Sequence, residues 1–111
     1  MSEVPPDAGD LVWTDFDPTL GGEEAGPALV VSPAALTLNT GFAFVCPITS
    51  RIKPLPTSVV LPDGLPISGE VLLSHLRSID TLARPIRPIG AAVPRETAAE
   101  VRAKLAALIA N

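Results

Sequence analysis

The sequence predicts a mainly β fold: a small, strongly bent antiparallel sheet or barrel, closed by one C-terminal α-helix. Three observations carry that expectation. Short apolar, β-branched runs recur along most of the chain. The 13 prolines fall between those runs, in "VPP", "CPIT", "KPLP", "LPDGLP" and "RPIRPIG", rather than in one tract. There they end strands and preset turns. At the end of the chain the apolar spacing changes from strand-like to every three or four residues.

The elements follow in order. "GDLVWTDFD" (9–17) alternates and is entered from a glycine turn, so it predicts a strand. A loop over 17–27 carries Pro18, Gly21, Gly22, Gly26 and Pro27. "ALVVS" (28–32) is continuously apolar, which predicts a strand covered on both faces. "SPAAL" suggests a single helical turn with Ser32 as N-cap and Pro33 at the first helical position. "NTG" then turns the chain, with Asn39 and Gly41 tolerating positive φ. "GFAFVCPITS" (41–50) is the strongest strand, stopped at or soon after Pro47. "TSVVLP" (57–62) and "GEVLLSHLRS" (69–78) predict two more, and "RPIRPIG" a short edge strand. In "PRETAAEVRAKLAALIAN" the stripe Ala98, Val101, Leu105, Leu108 and Ile109 predicts an amphipathic helix starting at Pro94, with Glu100 and Lys104 paired four apart.

With 111 residues, 47% of them apolar, the chain fits one domain over 1–111 with a modest core. Its aromatics are few (Trp13, Phe16, Phe42, Phe44), so association between copies would help that core. There is no apolar run of about 18 residues to span a membrane. The start "MSEVPPDAGD" lacks a signal peptide's basic and apolar parts, so the expected location is cytoplasmic. The single cysteine, Cys46, sits in the apolar run "FAFVCPI" and reads as a buried structural thiol.

Charge is uneven. All eight basic residues follow position 50, and seven of the twelve acids lie in the first 24 residues. The net charge of −4 argues against a general nucleic-acid binder. Any anion site must therefore take its cations from the second half.

Local signatures for zinc, for nucleotide-binding glycine loops and for a Ser-His-Asp set are missing, so neither metal nor cofactor is expected. "LGGEEAG" has glycines that let backbone N–H groups approach a ligand, but its acids repel phosphate. "PITSRIKPLP" places Thr49, Ser50, Arg51 and Lys53 together at a strand end, a set that binds phosphate or remains a solvated loop tip. His75 reads either as a half-buried packing residue or as a general acid or base. On a strand it would share a face with Arg77, while Ser74 would point to the other.

Together "PDAGDLVWTDFDPTLGGEEAG", "PALVVSP", "NTGFAFVCPITS", "VVLPDGLPISGEVL", "RSIDTLAR" and the terminal helix resemble the MazF/PemK (Kid) family of toxin endoribonucleases, in that family's order and over almost the whole chain. The resemblance implies an SH3-like barrel with a C-terminal α-helix, acting as a homodimer. It implies sequence-specific, metal-independent cleavage of single-stranded mRNA to 2′,3′-cyclic phosphate and 5′-OH ends, inhibiting translation and growth. It also implies a MazE-like antitoxin partner lying along the dimer groove.

Carried over by residue, the resemblance makes Thr49 and Glu23 catalytic, with His75 a further acid/base candidate that the family pattern does not contain. It places RNA contacts at Glu24, Ser50, Arg51, Lys53, Ser74 and Arg77. Glu24 stands where the family usually has glutamine, and Ser74 and His75 where some members have aspartate and glutamine. The largest departure is in the loop. The family continues "A-G-(H/R)-R-P", whereas here Gly26 leads directly to Pro27, and the arginine that stabilises the phosphate is absent. Losing one such donor costs on the order of 10²–10³ in rate, unless Arg51, Lys53 or Arg77 substitutes. The gap, whether natural, engineered or an unrecorded stretch of chain, puts the activity of this sequence in question. The alternatives are a non-catalytic, protein-binding toxin like the gyrase poison CcdB, which shares the fold, and an inactive relative that binds antitoxin.

Overall fold

A computed structural model describes residues 4–14 and 26–110. Among these residues seven strands and two α-helices follow one another: β1 (Asp10–Thr14), β2 (Gly26–Val30), α1 (Ala34–Thr40), β3 (Phe42–Thr49), β4 (Ser58–Val60), β5 (Glu70–Leu72), β6 (Arg77–Asp80), β7 (Arg87–Ala92) and α2 (Arg95–Ile109). The sheet is antiparallel in the order β4-β5-β3-β2-β1-β7, and β6 also pairs β3. Among the described residues it is bent but not closed, so the expected barrel is an open one with β4 and β7 at its ends. β7 is an edge strand, as Pro88 within it requires.

Alternation sorts the side chains into two layers. On one face Leu11, Leu29, Cys46, Ile48, Val59, Val71 and Leu73 form the larger core, and α2 covers it with Val101, Ala98 and Leu105. On the other face Val12, Ala28, Val30, Val45 and Ile79 pack with Ile86. β2 is thus covered on both faces, as its unbroken apolar run predicts. The α2 stripe is buried only in part, because Leu108 and Ile109 beyond Leu105 are exposed. Glu100 and Lys104 pair at 3.1 Å.

Several local expectations are corrected. Ser32 is not the N-cap of α1. Its hydroxyl oxygen accepts the Phe44 N–H at 2.9 Å, and Pro33 holds the cap position. The first helical N–H, that of Ala34, donates instead to Asp7 Oδ1 at 2.9 Å. α1 runs for seven residues, so Asn39 is helical, and Gly41 alone takes the left-handed cap at φ 81°. The stop expected at or soon after Pro47 does hold, since β3 ends at Thr49, two residues beyond that proline. Pro47 falls between the stretch that pairs β6 (42–45) and the stretch that pairs β5 (48–49), where the ladder on that edge is already interrupted. The aromatics Trp13, Phe42 and Phe44 are not core residues but are each more than a third exposed. Phe16 lies outside the described residues.

Candidate active site

β3 carries the site because it changes partners along its length. Its first half pairs β6 and its last two residues pair β5, with Thr49 opposite Glu70. Ile48 points into the helix-covered core, so Thr49 turns to the other face, together with its neighbour Glu70. Gly69 makes this close pairing possible. At φ 144° it occupies backbone space that L-residues rarely adopt, and a Cβ there would collide with the Thr49 carbonyl.

After Thr49 the chain leaves the sheet with Ser50, Arg51 and Lys53 exposed. This segment has no ladder of its own; side chains hold its alternate amides. Arg51 N–H donates to Thr49 Oγ1 at 3.2 Å, Lys53 N–H to Glu70 Oε1 at 2.8 Å, and Leu55 N–H to Ser58 Oγ at 3.2 Å. Pro54 and Pro56 have no N–H to satisfy. The Ser58 hydroxyl also lies against the Leu55 carbonyl at 3.2 Å and makes a short hydrogen bond to Glu70 Oε2. Lys104 on α2 reaches across to donate to the Ser58 carbonyl at 2.9 Å.

Electrostatics follow from those bonds. The Glu70 carboxyl is held below the usual carboxylate range, first by the Ser58 hydroxyl and then by the Lys53 amide, with burial opposing them. Thr49 Oγ1 is an acceptor toward the Arg51 amide, which leaves its O–H as a donor toward anything bound above it. Burial pushes the Cys46 thiol up to about 12, so it is inert, as its apolar setting predicts.

The other candidates are distributed unequally. Glu23 and Glu24 lie outside the described residues. Their loop is anchored at Thr14 and Gly26, which pair with each other. Counting two residues on from the Ala28–Pro47 pair brings Gly26 level with Thr49, so loop and corner leave the same end of the sheet. The predicted strand through Ser74 and His75 is corrected. Leu73–His75 is one turn of 3-10 helix, with Ser74 and His75 exposed and no shared strand face with Arg77. The cause is Leu73, buried in the core with its N–H on the Thr57 carbonyl, after which the chain curls to reach the first half of β3. Arg77 begins β6 opposite Val45, four residues from Thr49, or about 14 Å along the sheet. Among the described residues no group of three or more His, Cys, Asp or Glu could hold a metal, and no helix is long and apolar enough to cross a membrane.

Sequence reasoning missed Glu70, Ser58 and Lys104. The available signal was an acid inside "GEVLL", where strand alternation and apolar neighbours require burial.

Residues 7–109 of the chain match the family of PemK-like, MazF-like toxins of type II toxin–antitoxin systems. The chain belongs to that family. The endoribonuclease toxin MazF of Escherichia coli K12 is 40% identical over 111 residues, covering 98% of each chain. The crystal structure of MazF from Deinococcus radiodurans superposes with a TM-score of 0.87 at 45% identity, covering 98% of this chain and 100% of that one. A MazE–MazF structure from the same organism gives 0.83 at 45%, covering 97% and 98%. This PemK/MazF-type chain thus has the family's strands and terminal helix.

Proposed function

We propose that the chain is the toxin of a type II toxin–antitoxin system, a metal-independent endoribonuclease that cuts single-stranded mRNA at a short sequence and so stops translation and growth. The observation that carries this reading is the Thr49–Lys53 corner at the same sheet end as the anchors of the Glu23 loop, in a chain of this family. RNA can supply its own nucleophile. Its 2′-OH attacks the adjacent phosphorus, the P–O5′ bond breaks, and a 2′,3′-cyclic phosphate and a 5′-OH remain. The protein has to take the 2′-OH proton, return one to the 5′-oxygen and stabilise the phosphorane.

Glu23 is the base in this reading, and the Thr49 hydroxyl donates to a phosphorane oxygen. Arg51 and Lys53 supply the positive charge that the shortened loop lacks. His75, on the neighbouring 3-10 turn with Ser74, is the second acid/base candidate, and Ser50, Glu24 and Arg77 extend the RNA contact. The protein works in the cytoplasm as a homodimer, with the half-exposed Phe42 and Phe44 offering apolar area to a second copy. It is silenced by a MazE-like antitoxin, whose acidic, apolar segment competes with RNA for the basic corner.

The test is incubation with mixed-sequence RNA in EDTA, followed by end mapping. Cuts at one recurring motif with cyclic-phosphate ends are expected. Intact RNA at high protein excess would overturn the ribonuclease reading in favour of a CcdB-like or inactive, antitoxin-binding protein. Inserting His-Arg between Gly26 and Pro27 is expected to raise the cleavage rate on the order of 10²-fold.

A further inference from the structure

We propose that Glu70, with Ser58, is the positioning residue for RNA binding, fixing the loop from Ser50 to Pro56 so that Lys53 meets a phosphate. This rests on the reading of that loop as the RNA contact.

Glu70 is only 1% exposed, on a strand whose next residue, Val71, is fully buried in the core. A buried carboxylate carries a desolvation cost that an apolar residue in a sheet avoids. What Glu70 receives for that cost is directed at one segment. Oε1 takes the Lys53 N–H, and Oε2 takes the Ser58 hydroxyl, whose oxygen in turn takes the Leu55 N–H. The amides of 51, 53 and 55 thus hang on the side chains of Thr49, Glu70 and Ser58 in sequence. The second and third anchors meet at Glu70. Removing it frees the chain on both sides of Pro54 while leaving the strand pairs of β5 in place. A cation on such a loop contacts phosphate with its backbone already ordered, so binding does not have to order it.

The test is binding of a short fluorescent single-stranded RNA of randomised sequence to the full chain, measured against salt, for wild type, Lys53→Ala, Glu70→Ala and the double variant. Lys53→Ala is expected to weaken binding and to reduce the slope of log Kd against log salt by about 0.7, the value for one single-strand phosphate contact. Glu70→Ala, which removes both acceptor oxygens, is expected to reproduce both changes, with Kd raised about tenfold or less, and the double variant to add nothing. Hydrogen exchange at the Lys53 amide should quicken in Glu70→Ala while that of Val45 and Val71 stays slow. A general loss of folding would speed all three. Should Glu70→Ala not fold, Ser58→Ala serves, with exchange read at the Leu55 amide that Ser58 holds and the same binding measurements. The proposal is overturned if Lys53→Ala weakens binding but Glu70→Ala binds with the wild-type Kd and slope, or if the two effects add. If Lys53→Ala itself changes nothing, the loop does not touch RNA, and it is the underlying reading of the site that fails.

Discussion

The corner from Thr49 to Ser58 and the turn from Leu73 to Leu76 both present polar side chains beside β3, yet they are held in different ways. The turn hangs on Leu73, an apolar anchor whose burial has no preferred direction. Ser74 and His75 are exposed on it. The corner is tied by side-chain acceptors to alternate backbone amides, and each bond fixes position as well as energy. A preorganised site needs its donors and charges placed before the substrate arrives. By that criterion the proposed phosphate contact fits the corner better than it fits the turn that carries Ser74 and His75.

The comparison can be broken most forcefully at Gly69. Gly69→Ala puts a Cβ into the Thr49 carbonyl at a φ unsuited to alanine, and a loss on the order of 3 kcal/mol is expected, seen as a melting temperature lower by roughly 10 °C or more. Ser74→Ala on the exposed turn should stay within about 0.5 kcal/mol. Equal losses would mean the corner is no more constrained than the turn.

Activity sharpens the same contrast. In the proposed reading Thr49→Ala removes the hydroxyl that donates to the phosphorane, and the cleavage rate should fall on the order of 10²-fold. His75→Ala is expected to lose about tenfold or less. A loss at His75 matching or exceeding that at Thr49 would place the proton transfers on the turn instead.

Acid should act on the corner selectively. The folded Glu70 carboxyl lies below its unfolded value, so its ionised form favours the fold above that value. The contribution is present above the ordinary carboxylate range and is lost as pH falls through the lowered folded value. Thermal melts from neutral to acid pH should show this decline, and Glu70→Gln should flatten it. A small effect is expected at Lys104, whose bonds to the Ser58 carbonyl and to Glu100 are partly solvated. Lys104→Ala should cost on the order of 0.5–1 kcal/mol by denaturant unfolding.

These effects also explain what could be read in the sequence. α2 was legible because periodicity states which stripe is buried, although not that burial ends at Leu105, which depends on how far the sheet extends beneath it. β2 was legible from an unbroken apolar run. Ser32 and His75 misled because local pattern cannot see a distant competitor. The Phe44 amide claims the Ser32 hydroxyl, and the Leu73 side chain, drawn into the core, curls the segment that carries His75. In the candidate site, Thr49, Arg51 and Lys53 were visible as a polar strand end. Glu70 was not, because its partners lie 12 and 17 residues away and only pairing brings them together.

The central claim is that single-stranded RNA is gripped at the corner. Hydrogen exchange of the full chain, with and without excess single-stranded RNA in EDTA, tests it most directly. The account predicts added protection at Ser50, Arg51 and Lys53, with the turn at Leu73–His75 protected less. Protection confined to the turn and β6, or none anywhere at saturating RNA, would contradict it.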